Sequence, residues 1–141
     1  MGLYLDASVI LPTLIEETNS SAVDAFVMTA NNDLVVSEFA AAEVASAFSR
    51  LIRIGVMGRD DATERLADFD AWRAAATDDV DILASDIRLA NIYVRRFDLM
   101  LRTPDAVHAA VCRRAGHELI TLDRRLAIAA SELGIPVRQI A

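Results

Sequence analysis

The stretch Leu3-Tyr4-Leu5-Asp6, followed by Ala7-Ser8-Val9-Ile10, decides how the rest of the chain is read. A short apolar run of strand formers ends in a carboxylate, and Ala7 and Ser8 offer a helix start. The segment therefore predicts a strand-to-helix turn with an acid at its tip. In an open parallel sheet, ligands bind in the crevice beyond the carboxyl ends of the strands, which makes Asp6 a candidate for chemistry. A structural reading stands beside this one, because Asp is among the best N-caps for a following helix.

Outward from this turn, strand and helix signals alternate. Ala7 to Glu17 reads as a helix, with Pro12 expected in or near its first turn. Asn19-Ser20-Ser21 caps a second helix carrying Val23, Phe26, Val27 and Ala30 at helical spacing, closed by Asn31-Asn32. Asp33 to Ser37 is a β-branched run between turn signals, hence a buried strand. The alanine-rich segment Glu38 to Ile54 is a helix stopped by Gly55, and Gly58 to Thr77 gives another. Asp81 to Ala84 is expected to be a short strand, with Ser85 capping a helix that runs to about Leu99. Thr103-Pro104-Asp105 starts a helix that ends at Gly116. Glu118 to Leu122 is a strand, and Asp123 follows it as Asp6 follows the first. A last helix reaches Leu133, Gly134 stops it, and Pro136 to Ile140 adds an edge strand. The alternation implies one α/β domain over residues 1–141, a three-layer α/β/α fold around a parallel sheet.

The chain has 141 residues, a net charge of -7, 54% hydrophobic and 25% charged residues. These are the proportions of a packed globular domain, and no apolar run is long enough to span a bilayer. No basic cluster precedes an apolar stretch at the start, so a cytoplasmic protein without membrane association is expected. The single Cys112 has no internal partner and reads as a small buried apolar group. All 14 basic residues are Arg. The absence of Lys excludes phosphate-cradling P-loops and Schiff-base chemistry, while leaving guanidinium forks suited to phosphate.

Four acids stand out. Asp6 and Asp123 follow strands and so share one edge of the sheet. Glu43 lies at the margin of an apolar helix stripe, with Arg50 seven residues on along the same face. Asp105 sits in the first turn of its helix, in line with His108, Ala109 and Cys112. Each has a structural alternative: Asp105 complements a helix dipole, Asp123 caps the last helix, and Glu43 pairs with Arg50 in solvent. Asp98 nearby suits a helix end or loop. Four carboxylates within ~6 Å of one another would repel by about 3 kcal/mol per pair at an effective dielectric of ~20, so such a cluster needs bound cations or raised pKa values. Oxygen-only ligands point to Mg²⁺ or Mn²⁺ and away from zinc.

These residues carry a resemblance. Asp6 in Leu-Tyr-Leu-Asp-Ala-Ser, Ser37 followed by Glu43, Arg102-Thr103-Pro104-Asp105-Ala106-Val107-His108-Ala109-Ala110, and Thr121-Leu122-Asp123-Arg124-Arg125-Leu126 resemble the motifs of PIN-domain nucleases, and most closely those of VapC-type toxins. The resemblance implies a five-stranded parallel sheet and endoribonuclease activity, with Asp6, Glu43, Asp105 and Asp123 as the acidic quartet holding Mg²⁺ or Mn²⁺. Asp6, Asp105 and Asp123 would coordinate the cation; Glu43 would coordinate through water or orient the attacking water. Ser8 falls where the family often has a hydroxyl after its first Asp, and Thr121 two residues before its last acid, both candidates for substrate contact. Arg50, Arg102, Arg124 and Arg125 are the candidates for RNA backbone contact. His108 is expected to pack or hydrogen-bond beneath Asp105 and not to act as a base. The resemblance also implies a cognate antitoxin and a homodimer, for which the helices from Glu38 to Thr77 offer a surface. The alternative is a degenerate PIN module that binds RNA or protein without cleaving. A phosphotransfer receiver would require a lysine, and a haloacid-dehalogenase-like phosphatase a second Asp where Ser8 stands.

Overall fold

The computed structural model describes residues 1–140. Four strands, β1 (Leu3–Leu5), β2 (Leu34–Val35), β3 (Glu118–Thr121) and β4 (Val137–Gln139), form a parallel sheet in the order β2-β1-β3-β4. The register aligns Leu3 with Leu34 on one side of β1 and with Glu118 on the other. Seven helices connect and cover the strands: α1 (Ala7–Leu14), α2 (Ser20–Thr29), α3 (Glu38–Arg53), α4 (Arg59–Ala76), α5 (Ala84–Arg95), α6 (Thr103–Ala115) and α7 (Arg124–Glu132).

Alternation along the strands sorts the core into two layers. Tyr4, Val35 and Leu119 point to the side covered by residues of α5, α6 and α7, including Ala90, Val107, Val111 and Leu126. Leu3, Leu5, Leu34 and Ile120 point to the other, against Val9, Ile10, Val23, Val44, Phe48 and Phe69 from α1 to α4. Both faces of the sheet are buried, as a parallel sheet requires.

The sheet has four strands among the described residues and not the expected five. Of Asp81–Ala84, expected to be a strand, Asp81 to Leu83 are irregular chain and Ala84 already begins α5. Only Asp78 pairs with the sheet, as a single parallel bridge to Val35, donating to Leu34 O at 2.8 Å and accepting from Val36 N at 3.0 Å. Beyond it the backbone is drawn elsewhere: Arg114 donates to Asp81 O at 2.6 Å, and Asp86 accepts from Leu83 N at 2.8 Å, capping α5 two residues before the expected Ser85. Helix α5 then stops at Arg95, and a short 3-10 turn, Phe97–Leu99, replaces its expected last turn. Helix α1 is also shorter than expected. Pro12 lies in its second turn, where it cannot donate to Ser8 O, and the helix ends two residues later.

Candidate active site

Because β2 and β3 lie on opposite sides of β1, the direction of the chain's progress reverses between β1 and β3. A crevice opens at the carboxyl ends of strands flanking such a point. Asp6 leaves β1 there, and Thr121 and Asp123 leave β3 beside it.

Asp6 is only 4% exposed. Its Oδ1 accepts from Ser8 Oγ at 2.5 Å and from Val9 N at 3.3 Å, so it is both an N-cap for α1 and a harnessed carboxylate. Its Oδ2 accepts from Thr121 Oγ1 at 2.6 Å. Burial pushes the Asp6 carboxyl above the usual range, and the Ser8 and Thr121 hydrogen bonds pull it part of the way back. Ser8 and Thr121, expected at the substrate, are thus turned inward. Both hydroxyls serve Asp6, Ser8 Oγ also accepts from Leu122 N at 2.9 Å, and Thr121 is fully buried.

Asp123 caps α7, accepting from Arg125 N at 2.9 Å and Leu126 N at 3.3 Å. Asp105 is half-buried in the first turn of α6. Burial, then the charges on Asp123 and Asp6, push its carboxyl up against the pull of His108 and Arg102. Asp123 and Asp6 therefore both act electrostatically on Asp105. Among the described residues, however, no group of three Asp, Glu, His or Cys side chains stands close enough to hold one ion. The acids do not converge into the tight quartet expected. The donor set is all oxygen, and its two raised carboxyls would be ionised most readily beside a positive charge. A hard divalent cation fits those residues.

Glu43, on α3, is partnered by His108 Nε2 and not by Arg50. Arg50 is exposed, about 10 Å further along the helix, and the structure does not bring it to the acids. His108, expected to pack or hydrogen-bond beneath Asp105, has a ring 2% exposed that links Glu43 to Tyr4, whose Oη lies 2.6 Å from Nδ1. Tyr4 Oη in turn meets Ser37 Oγ at 2.8 Å. Tyr4 and Ser37 are fully buried, and burial raises the Tyr4 phenol far above its ordinary range. The sequence signal for this chain was a tyrosine on an inward-facing strand position, whose hydroxyl must find a partner when buried.

Arg102, Arg124 and Arg125 are exposed at the same edge, and none forms an ion pair among the described residues. Arg124 and Arg125 line an open cavity of about 430 Å³ with Met100 and Ile128. Asp98, in the 3-10 turn, pairs with Arg96 at 2.9 Å and lines the same cavity.

A parallel α/β sheet with acids gathered at its switch point defines the class, and residues 3–132 match the PIN domain family model. The chain belongs to the PIN domain family. It is similar to ribonuclease VapC46 of Mycobacterium tuberculosis, with 31% identity over 139 residues, spanning 96% of this chain and 95% of that protein. Its fold is that of VapC20 from the same organism, a sarcin-ricin loop cleaving toxin, at a TM-score of 0.71 and 17% identity over 90% of this chain and 94% of that one. A toxin-antitoxin complex from Klebsiella pneumoniae contains a chain of the same fold, at a TM-score of 0.69 and 14% identity over 99% and 98% of the two chains.

Proposed function

We propose that this chain is an endoribonuclease dependent on Mg²⁺ or Mn²⁺, acting as the toxin of a toxin-antitoxin pair. The observation that carries the reading is the buried Asp6 carboxylate, held by two hydroxyls at the sheet's switch point, with its charge and that of Asp123 both acting on Asp105. Similarity to a VapC ribonuclease along nearly the whole chain supports the activity. Asp6, Asp105 and Asp123 would hold the cation, and Glu43 would coordinate through water or orient the attacking water. When bound, the cation supplies polarisation of the phosphate and a lowered pKa for water.

The remaining work falls to the chain's own side chains. Ser8 and Thr121 fix both oxygens of Asp6, which leaves its orientation no freedom to follow the substrate. Arg102, Arg124 and Arg125 offer guanidinium forks to the RNA backbone at the edge where the acids lie. Arg50 lies outside that group.

An antitoxin partner is supported by the fold shared with a chain of a toxin-antitoxin complex. A second copy of the chain is a further proposed partner. The large apolar side chains left exposed include Leu83, Ile87, Ile92, Phe97 and Met100 on and around α5, and only Ile54 and Val56 in the Glu38 to Thr77 region expected to supply the surface. No helix among the described residues is long and apolar enough to cross a membrane.

The test compares wild type with Asp6→Asn on total RNA and Mn²⁺, with and without EDTA. Discrete fragments lost in both the variant and the chelated sample are expected, and they identify the RNA. Cleavage that persists in the variant overturns the site. No cleavage in any sample, with a partner still bound, leaves a non-cutting PIN module.

A further inference from the structure

We propose that Ser37, Tyr4 and His108 form a one-directional hydrogen-bond chain that fixes the carboxylate of Glu43, which makes His108 a positioning residue for the fourth acid of the site. The inference rests on Glu43 being a site acid, as proposed above.

Proton accounting sets the direction. Ser37 Oγ accepts from Ala40 N at 3.1 Å, where it caps α3, so its own proton is free for Tyr4 Oη at 2.8 Å. The Tyr4 proton then goes to His108 Nδ1 at 2.6 Å. An imidazole that accepts at Nδ1 carries its proton on Nε2, which faces Glu43 Oε1. All three protons run the same way and end on the carboxylate. In the reverse direction the Ser37 proton has no acceptor among the described residues, and a neutral imidazole would turn a lone pair toward Glu43.

The ring is also mechanically fixed. Tyr4 meets it edge-on at a centroid distance of 5.4 Å and Phe39 does so at 5.2 Å. Phe39 and Glu43 lie one helical turn apart on α3, so the helix that presents the acid also clamps the ring that holds it. Glu43 keeps 29% of its side chain exposed, enough for its other oxygen to face the crevice while Oε1 is tethered. Tyr4 belongs to β1, which also delivers Asp6. One strand therefore sets two acids, one at its tip and one through the Tyr4 hydroxyl. A purely structural role for His108 would need only a filled, satisfied core position.

The test uses the full chain and four readouts: RNA cleavage, Mn²⁺ binding by titration calorimetry, thermal unfolding, and ¹⁵N imidazole NMR of the metal-free protein. The chain has two histidines, so a His117→Gln background leaves the His108 ring alone in the spectrum. We expect the Nε2–H form in wild type, with the Nδ1 resonance shifted in Tyr4→Phe by loss of its hydrogen bond. His108→Phe keeps a ring and removes both nitrogens, and should lower kcat and weaken Mn²⁺ binding about 10- to 100-fold, the usual effect of removing a group that orients a ligand. His108→Gln, which restores a donor toward Glu43, should recover most of the loss. Tyr4→Phe removes a single oxygen and serves if His108→Phe does not fold. An Nδ1–H ring in wild type overturns the proposal, and so do folded His108→Phe and Tyr4→Phe proteins that cleave RNA and bind Mn²⁺ as wild type does. A wild-type chain that neither cleaves RNA nor binds Mn²⁺ overturns the nuclease reading, and the inference falls with it.

Discussion

The Thr121 hydroxyl donates to Asp6 Oδ2 at 2.6 Å across the β1–β3 pairing and accepts from Asp123 N at 3.0 Å. One buried hydroxyl therefore sets the orientation of the first acid and the start of the turn that carries the last. Thr121→Val keeps the shape and removes both bonds. It should cost about 1–3 kcal/mol, because Asp6 and the Asp123 amide are left short of partners. Cleavage should fall about 10- to 100-fold as Asp6 loses its orientation. Chemical denaturation and RNA cleavage measured together check both. Thr121→Ser, which retains the hydroxyl, should stay close to wild type in cleavage.

The raised carboxyls of Asp6 and Asp105 give the metal-free protein a distinctive pH dependence. Both are pushed up chiefly by burial. An acid whose folded pKa lies above its unfolded value, near 4, stabilises the fold below that value. The contribution is lost as pH rises through the folded pKa. Without cations, wild type should therefore lose stability as pH climbs from the acid range toward neutral. Asp6→Asn, with Asn a good N-cap for α1, should lose less and unfold at a higher temperature than wild type at neutral pH. Mn²⁺ at 100 times its Kd should return about 2.7 kcal/mol to wild type and nothing comparable to Asp6→Asn. Thermal melts across pH, with EDTA or Mn²⁺, test all three statements.

A second carboxylate, Asp86, is buried for a different purpose. It is 1% exposed, accepts from Leu83 N at 2.8 Å and pairs with Arg114 Nε at 2.7 Å, while Arg114 also holds Asp81 O. Arg114→Ala would strand a buried charge and release the Asp81 segment, at a cost of about 3 kcal/mol. None of these residues belongs to the proposed site, so the protein that remains folded should cleave RNA at the wild-type rate. Denaturant titration and cleavage per folded molecule separate the two effects.

The same residues explain what the sequence could and could not reveal. The turns after β1 and β3 were legible because each is a local pattern, an apolar run, an acid and a helix start, and both emerge at the predicted edge of the sheet. The supposed strand at Asp81–Ala84 carries apolar Ile82, which does pack on the core together with the preceding Val80. The backbone there is governed by Arg114, 33 residues away in sequence, and no local pattern contains that bond. Glu43 invited pairing with Arg50 because the two share a helix face. Its actual partner, His108, is 65 residues distant and meets it only once α3 and α6 are placed on the sheet.

Cys112 should be chemically silent in the native protein. The thiol is 1% exposed in the layer formed by α6 and the sheet, and burial pushes it well above the ordinary thiol range. The thiolate is the reactive form, and neither thiolate nor access is provided there. A disulfide reagent added to folded protein at pH 8 should react orders of magnitude more slowly than with protein in denaturant. Its residual rate should follow the population of unfolded molecules, so the destabilised Arg114→Ala protein should be labelled faster than wild type. Equal rates in the two folded proteins would mean that the thiol is reached through a local opening independent of the Asp86–Arg114 pair.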